Sequence, residues 1–205
     1  MPTQNNNGKI GIILLAAGES KRLGRPKQLL KFAGKTFLQH GLKTAHASIA
    51  SPIVTVLGAN ADVLKNKIAD DTHVVINANW NEGMASSIRA GVKAILEIDP
   101  SVDGVILMVC DQPYVDCIVL NNLIAAHQIS GKPIVASSYN NTFGPPTLFQ
   151  KVMFPELLQL YGDTGAKSVV KQHADEVEII SFPMGEIDID TEADYEKLSK
   201  QMSEQ

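Results

Sequence analysis

The chain has 205 residues and a formal net charge of −4, with 44% apolar and 20% charged residues. This length fits a single globular domain, and the composition is that of a soluble protein. The acidic balance argues against general binding to nucleic acid or to a membrane surface, and no apolar stretch reaches the roughly 20 residues of a membrane span. Two cysteines, Cys110 and Cys117, suit a reducing compartment, so we expect a cytoplasmic protein.

The chain divides into a short polar start and one long patterned region. Residues 1–9 are rich in asparagine, so we expect a flexible N-terminus rather than a signal peptide. From residue 10 onward, strand-like and helix-like segments alternate without a repeat or a linker. This order predicts one domain over residues 10–200, an α/β fold in the form of a three-layer α/β/α sandwich with a mostly parallel, Rossmann-like sheet. A turn-rich excursion at 138–146 predicts a small antiparallel addition.

Apolar runs predict the strands, and apolar residues at helical spacing predict the helices. The predicted strands cover Ile10–Leu15, Ile53–Leu57, His73–Ile76, Val105–Val109, Pro133–Ser137, Thr147–Phe149 and Val177–Phe182. The predicted helices cover Phe37–Ser48, Ala61–Ala69, Met84–Leu96, Cys117–Gln128, Lys151–Tyr161, Ala166–His173 and Thr191–Lys200. Thr191 and Asp194 have the spacing of a capping box at the start of the last helix. Sheets of this kind bind ligands at the carboxyl ends of strands where the strand order reverses.

The segment after the first strand concentrates positive charge. Residues 21–35 contain six of the 18 basic residues of the chain and no acidic residue. A cationic loop in which Gly18 and Gly24 allow positive φ is typical of polyphosphate binding, although a charge run can also be a solvated surface. The glycine spacing fits neither a Walker A loop nor the dinucleotide fingerprint, whose second glycine is replaced by Ser20. An oxidoreductase is therefore the least favoured function.

Carboxylates follow the most apolar strand and precede the last helix. Asp111 ends the strand Val105–Val109, where an unpaired carboxylate would be costly. It suits an Mg²⁺ ligand beside a polyphosphate, or a capping residue before Pro113. Asp188 and Asp190 alternate along an extended segment and so share a face; either a second metal ligand or helix N-terminal acids would explain them.

Several blocks of the sequence together form a familiar pattern. The blocks are Leu15–Lys27, Trp80–Ile88, Cys110–Pro113, Gly144–Pro146, Gly162–Ala166 and Asp188–Thr191. They span residues 10 to about 195, nearly the whole chain. In content and order they resemble the molybdenum cofactor cytidylyltransferase family, a branch of the nucleotidyltransferase superfamily with a Rossmann-like core.

The resemblance implies an Mg²⁺-dependent enzyme that transfers CMP from CTP to molybdopterin and releases pyrophosphate. It implies that Arg22, Lys27 and Asp111 are catalytic, and that Asp111 and Asp190 bind Mg²⁺. The implied nucleotide site comprises Leu15, Ala16, Ala17, Gly18, Arg22, Lys27, Gly83, Met84, Ser87 and Asp111. The implied acceptor site comprises Gly144, Pro145, Asp163 and Gly165.

The expected partners are CTP, or another nucleoside triphosphate, and a phosphorylated small-molecule acceptor. Ala17 favours CTP, because relatives that transfer GMP usually carry glycine at that position. A transient contact with a molybdoenzyme or its chaperone is a further expectation, whereas nucleic acid and membranes are not expected partners. Three alternatives stay open: GMP transfer to the same cofactor, nucleotide transfer to a sugar or polyol phosphate, and a non-catalytic cofactor-delivery protein.

Overall fold

A computed structural model describes residues 8–68 and 72–203 of the protein. The strands are β1 (Ile10–Ala16), β2 (Lys31–Phe32), β3 (Lys35–Thr36), β4 (Ile53–Leu57), β5 (His73–Ile76), β6 (Gly104–Val109), β7 (Ile134–Tyr139), β8 (Thr142–Gln150) and β9 (Val177–Ser181). The α-helices are α1 (Phe37–His46), α2 (Ala61–Lys65), α3 (Met84–Ile98), α4 (Cys117–Ser130), α5 (Phe154–Gln159), α6 (Lys167–Gln172) and α7 (Glu192–Ser203).

The main sheet has seven strands in the order β5-β4-β1-β6-β8-β7-β9. Among the described strands of this sheet, only β8 runs against its neighbours, and the remaining pairs are parallel. The short strands β2 and β3 form a separate antiparallel hairpin. The chain passes from β1 outward to β4 and β5 and then returns to place β6 on the other side of β1. The strand order therefore reverses between β1 and β6.

Alternate residues of β1 face opposite layers of helices. Ile13 belongs to a buried cluster with Ile88 and other residues of α3, which also includes residues of α5 and α6. Ile12 and Leu14 belong to a second buried cluster with Leu38 and other residues of α1, α2 and α4. Full burial of each such side chain contributes about 1.5–3 kcal/mol. The sheet between two helical layers confirms the predicted three-layer α/β/α fold.

The predicted turn-rich excursion at 138–146 is a hairpin whose strands continue almost to its tip. Asn140 and Asn141 have φ values of 44° and 56°, as a two-residue hairpin turn requires. The pairing of β7 with β8 then skips Pro145 and Pro146, where the register shifts. Proline favours loops in a sequence pattern, but a bulge tolerates it because no ladder hydrogen bond needs its missing N–H.

Several predicted boundaries also move. The predicted helix Ala61–Ala69 is the shorter α2, and Ala69 itself lies outside the described residues. The predicted helix Lys151–Tyr161 starts with a 3₁₀ turn, and α5 follows with Pro155 in its first turn. The division into segments 1–9 and 10–200 stays a prediction. Within the described parts of the chain, none of the helices combines the length and hydropathy needed to cross a bilayer.

Candidate active site

The candidate site lies where β1 and β6 end side by side. Leu15 of β1 pairs with Val109 of β6 in the last register position of this parallel pair. The chain then leaves β1 into the basic loop and leaves β6 through Cys110 and Asp111. A cavity of about 580 Å³ opens between these two segments. This is the edge of the sheet at which the reversal of strand order predicts a ligand.

The basic loop closes through local hydrogen bonds centred on Ser20. Its carbonyl accepts from the Gly24 N–H at 3.1 Å, and its hydroxyl accepts from the Lys27 N–H at 3.0 Å. Gly24 has the predicted positive φ of 73°, but the other left-handed residue of this turn is Ser20, at 63°. Gly18 differs from the prediction, since it is not among the glycines with positive φ. A Cβ built on it would meet no described heavy atom within 4 Å apart from its own neighbours in the chain. The space above Gly18 is open to a ligand.

Four residues predicted to carry chemistry form one ion cluster. The Lys27 ammonium donates to Asp111 Oδ2 in a short hydrogen bond and to Asp190 Oδ1 at 3.0 Å. Arg22 Nη2 donates to the other oxygen of Asp190 at 2.6 Å. The side chains of Lys27 and Asp111 are 17% and 13% exposed, whereas that of Arg22 is 70% exposed. The cluster thus has a buried centre and an exposed rim.

The titration of these groups follows from their neighbours. Burial would lower the pKa of Lys27, but the attraction of Asp111 and Asp190 outweighs burial and raises that pKa. Burial would raise the pKa of Asp190, yet the hydrogen bond and charge of Lys27, together with Arg22, lower it. Partial burial and repulsion by Asp111 and Asp190 raise the pKa of Asp188.

The cluster has donors that fit a hard divalent cation. Asp111 Oδ1 is buried and has no hydrogen-bond partner among the described residues. Carboxylate oxygens are preferred ligands of Mg²⁺, which proteins usually hold through one or two carboxylates and the oxygens of a bound phosphate. No group of three or more His, Cys, Asp or Glu side chains forms a complete metal cage in residues 8–68 and 72–203. The residues present therefore fit an ion that is shared with a phosphate ligand.

The cavity brings together the residues predicted for the nucleotide. Its lining includes Leu15, Ala16, Ala17, Gly18, Arg22, Lys27, Gly83, Met84, Ser87 and Asp111. Of the residues predicted for the acceptor, Asp163 lines the same cavity. Gly165 lies beside it, because a Cβ built on Gly165 would be 3.1 Å from the sulfur of Met84.

The other two predicted acceptor residues lie elsewhere. Gly144 and Pro145 belong to β8, and they are not among the described residues that line the cavity. A Cβ built on Gly144 would be 2.2 Å from the hydroxyl of Tyr139. The structure therefore groups Asp163 and Gly165 but does not place Gly144 and Pro145 with them.

The basic run divides between two tasks. Lys21 also lines the cavity, but Arg25 turns toward the C-terminal helix. Its guanidinium donates to Glu192 at 2.6 Å and lies 5.5 Å from the ring centroid of Tyr195. The spacing of the basic residues in the sequence does not show which of them face the cavity. Lys21, which lines the cavity, and Arg25, which binds Glu192, lie within one short loop.

The sequence analysis does not identify Gln28, whose side chain holds the start of the basic loop. Its side chain is 1% exposed, and its amide donates to the carbonyls of Ala16 at 3.0 Å and Gly18 at 2.8 Å. These bonds hold the backbone that faces the cavity. A polar residue between Lys27 and two leucines is a weak signal for such a role.

A second feature that the sequence analysis does not identify is an ion pair near the start of α3. Arg89 of α3 makes two hydrogen bonds to the Glu82 carboxylate, at 2.8 and 2.6 Å, and donates to the Leu160 carbonyl at 2.6 Å. The Ala85 N–H donates to the Gly162 carbonyl at 3.1 Å. These contacts join the start of α3 to the loop after α5 in one wall of the cavity.

Curated relatives resemble most of the chain. The MobA-like NTP transferase domain family matches residues 12–177. Purine catabolism protein PucB of Bacillus subtilis (strain 168) is 28% identical over 93% of this chain and 96% of its own length. Nicotine blue oxidoreductase of Paenarthrobacter nicotinovorans is 30% identical over 78% of this chain and 80% of its own length.

Solved structures also resemble nearly the whole chain. Rv0371c from Mycobacterium tuberculosis H37Rv is 31% identical with a TM-score of 0.83, over 94% of this chain and 98% of that chain. A complex of Rv0371c with manganese gives a TM-score of 0.78 at 28% identity, with the same coverage of both chains. The resemblance predicted from the sequence is thereby confirmed at the level of the family. The chain belongs to the MobA-like NTP transferase family and is a nucleotidyltransferase of that type.

Proposed function

We propose that this nucleotidyltransferase is an Mg²⁺-dependent cytidylyltransferase that transfers CMP from CTP to molybdopterin. The observation that carries the proposal is the convergence of Arg22 and Lys27 with Asp111 and Asp190 at the cavity. Cations are needed to bind and neutralise a triphosphate. Carboxylates are needed to hold the metal ion that shares its charge. The cluster offers both at one end of the sheet.

The proposed reaction needs no side-chain nucleophile. A phosphate oxygen of the acceptor attacks the α-phosphorus of CTP, a new P–O bond forms, the bond to the β-phosphate breaks, and pyrophosphate leaves. Positioning and charge neutralisation must therefore supply most of the acceleration. Arg22 can bind phosphate oxygens in a bidentate way, whereas Lys27 acts as a point charge, so the two are not interchangeable.

The metal would be held by the carboxylates at the centre of the cluster. When bound, Mg²⁺ neutralises part of the triphosphate charge and polarises the phosphoryl oxygens. Asp111 and Asp190 are its proposed ligands. The manganese complex of the related Rv0371c supports a divalent ion in this family.

The walls of the cavity suggest how the two substrates lie. The backbone of Ala16, Ala17 and Gly18 would contact the nucleotide, and the start of α3, with Gly83, Met84 and Ser87, would border its base and ribose. The proposed acceptor side is the adjoining wall with Asp163 and Gly165. Gly144 and Pro145 contribute less to the acceptor proposal because they do not share this wall.

The names of the relatives do not identify the acceptor of this chain, which is therefore part of the proposal. One relative is named for purine catabolism and another as an oxidoreductase. This chain has Ser20 where a dinucleotide fingerprint has its second glycine, and its ion cluster suits triphosphate chemistry. Ala17 favours CTP as a family tendency, and transient delivery to a molybdoenzyme or its chaperone remains part of the proposal.

The proposal is tested by supplying each of the four nucleoside triphosphates with Mg²⁺ and molybdopterin, and by measuring pyrophosphate and the mass of the products. We expect a CMP adduct and one pyrophosphate per adduct, with no product when Mg²⁺ is chelated. A GMP adduct would reassign the nucleotide. Cofactor binding without any adduct or pyrophosphate would favour a delivery protein and contradict the proposal.

A further inference from the structure

We propose that the Lys27 ammonium occupies the metal position of the site until a nucleotide binds. The metal then replaces Lys27 at the carboxylates, and Lys27 pairs with the phosphates of the nucleotide. This inference rests on the proposed function, because it takes Asp111 and Asp190 as the metal ligands. It adds that Lys27 binds the carboxylates before the metal and the nucleotide bind, and the phosphates afterwards.

The hydrogen bonds show why a metal cannot simply be added to the cluster. Lys27 occupies Asp111 Oδ2 and Asp190 Oδ1, and Arg22 occupies Asp190 Oδ2. The fourth oxygen, Asp111 Oδ1, has no partner among the described residues, but it is buried from solvent. A cation that approaches from the cavity therefore finds no accessible oxygen on Asp111 until Lys27 moves away.

The four hydrogen-bonded residues of the cluster carry no net charge between them, and the neighbouring Asp188 is repelled by Asp111 and Asp190. Lys27 and Arg22 carry two positive charges, and Asp111 and Asp190 carry two negative charges. A divalent metal by itself would meet the Lys27 ammonium at close range and must displace it. A triphosphate by itself would draw the cations away and leave the two carboxylates unpaired. When both arrive together, the metal replaces the cations at the carboxylates, and the cations pair with the phosphates.

Lys27 can make this exchange without a change in the backbone. Its N–H is anchored to the Ser20 hydroxyl at 3.0 Å, and the 3₁₀ turn Lys27–Leu29 fixes the chain that follows. The unbranched side chain has several rotatable bonds, and it lines the cavity into which the phosphates would enter. Rotation of one side chain is therefore enough to open Asp111.

The test is Mn²⁺ binding in the absence of nucleotide, measured by electron paramagnetic resonance of free Mn²⁺. Lys27→Met removes the ammonium and keeps the apolar stem. We expect this variant to bind Mn²⁺ on the order of ten times or more tightly than the unchanged protein, within the usual range of coupling between sites. Adding Asp111→Asn to Lys27→Met should abolish the gain.

Arg22→Met is the matched control, because it removes the same charge from the same cluster. Arg22 contacts only Asp190 among its described ion-pair partners and is 70% exposed, so its removal should tighten Mn²⁺ binding much less. Equal affinities in the Lys27→Met and Arg22→Met proteins would show a general charge effect and overturn the exchange. A Lys27→Met affinity no better than that of the unchanged protein would also overturn it.

Two further measurements keep the result interpretable. If Lys27→Met is too unstable to purify, Lys27→Gln removes the charge while it retains a hydrogen-bonding group, and the rise of its melting temperature with Mn²⁺ should exceed that of the unchanged protein. Mn²⁺ binding to the unchanged protein is also measured with CTP. If the unchanged protein binds Mn²⁺ in the presence of CTP but the Lys27 variants bind Mn²⁺ no more tightly than it does without CTP, only the exchange is refuted. If Mn²⁺ binds to none of these proteins, with or without CTP, the metal role in the proposed function fails as well.

Discussion

Lys27 and Arg22 contact the same carboxylate but differ in exposure, 17% against 70% of the side chain. Removing one partner of a buried ion pair leaves the other charge uncompensated, which costs several kcal/mol. An exposed pair contributes about 0–1 kcal/mol, because water and salt screen it. At the scale of single residues, the centre of the cluster should therefore be far more sensitive to substitution than its rim.

The first prediction concerns turnover. Lys27→Ala or Asp111→Ala should lower kcat by roughly 100-fold or more, as the loss of a transition-state electrostatic contact typically does. Pyrophosphate release at saturating CTP, Mg²⁺ and acceptor measures the effect. Lys35→Ala is the control, since Lys35 belongs to the same basic run but lies in β3, away from the described cavity lining. Near-normal turnover of Lys27→Ala would refute the proposed role of that residue.

The second prediction concerns two glycines of the cavity wall. Gly83 has a φ of 117°, and a Cβ there would be 2.4 Å from Asp163 Oδ1 and 2.6 Å from the Gly162 backbone. Gly83→Ala should therefore lower the melting temperature and displace the wall. Gly18→Ala should leave the melting temperature unchanged, because open space lies around the new methyl group within the described structure.

A raised KM for CTP is expected in the Gly18→Ala protein, since the new methyl group would occupy space next to the nucleotide. Thermal unfolding and initial-rate kinetics of both variants test the pair. Equal melting temperatures for the two variants would contradict the contacts assigned to Gly83.

At the scale of elements, α7 holds the basic loop from outside the sheet. Thr191 and Asp194 form the predicted capping box, with hydrogen bonds of 2.8 Å from the Thr191 N–H and 3.3 Å from the Asp194 N–H. Leu198 of α7 packs in a buried cluster that includes Leu23 and Leu30, on either side of Lys27 in the chain. The helix thus supports the segment that carries the cations.

The third prediction tests this support. Leu198 is 1% exposed, so Leu198→Ala should lower the free energy of unfolding by about 2–5 kcal/mol, the usual cost of such a cavity. Urea unfolding measures the change. Ile129→Ala on α4 is the control, because Ile129 is 86% exposed and should change stability by no more than about 0.5 kcal/mol. A loss of similar size in both variants would contradict the packing of α7.

At the scale of the whole molecule, His173 joins segments on one side of the sheet. Its Nδ1 lies 2.8 Å from Glu176 Oε1, and its Nε2 lies 2.7 Å from Glu156 Oε1 of α5. Both ring nitrogens can donate only when the imidazole is protonated. The hydrogen bonds to Glu176 and Glu156 therefore raise the pKa of His173.

The fourth prediction follows from the sign of that shift. Because the pKa of His173 is higher in the folded than in the unfolded protein, the stabilisation is complete below about pH 6.5, the ordinary histidine value. It is lost as the pH rises through the raised pKa. Unfolding of the unchanged protein and of His173→Gln should differ most between about pH 5 and 6.5, where His173 is protonated and both glutamates are ionised, and should converge at high pH. A difference that grows as the pH rises above about 6.5 would contradict this assignment.

The sequence predicts most elements of the sheet and the position of the site. Periodicity identifies β4 and β5 with their observed bounds, because each is a short apolar run between clear breaks. At residues 138–146 the sequence predicts the antiparallel excursion but not the extent of β7 and β8, because Pro145 and Pro146 indicate a loop. Whether a proline interrupts a strand or sits in a bulge depends on the partner strand, which local pattern does not specify.

The family, the α/β order and the cationic loop after β1 can be read from the amino-acid sequence, because motif content and periodicity are properties of neighbouring residues. Which of the charges meet depends on how the chain folds. Lys27 contacts Asp111 and Asp190 across 84 and 163 positions of the chain, and Arg25 turns away to Glu192. These choices depend on the packing of α7 and on the parallel pairing of β1 with β6, which bring distant residues within hydrogen-bonding range.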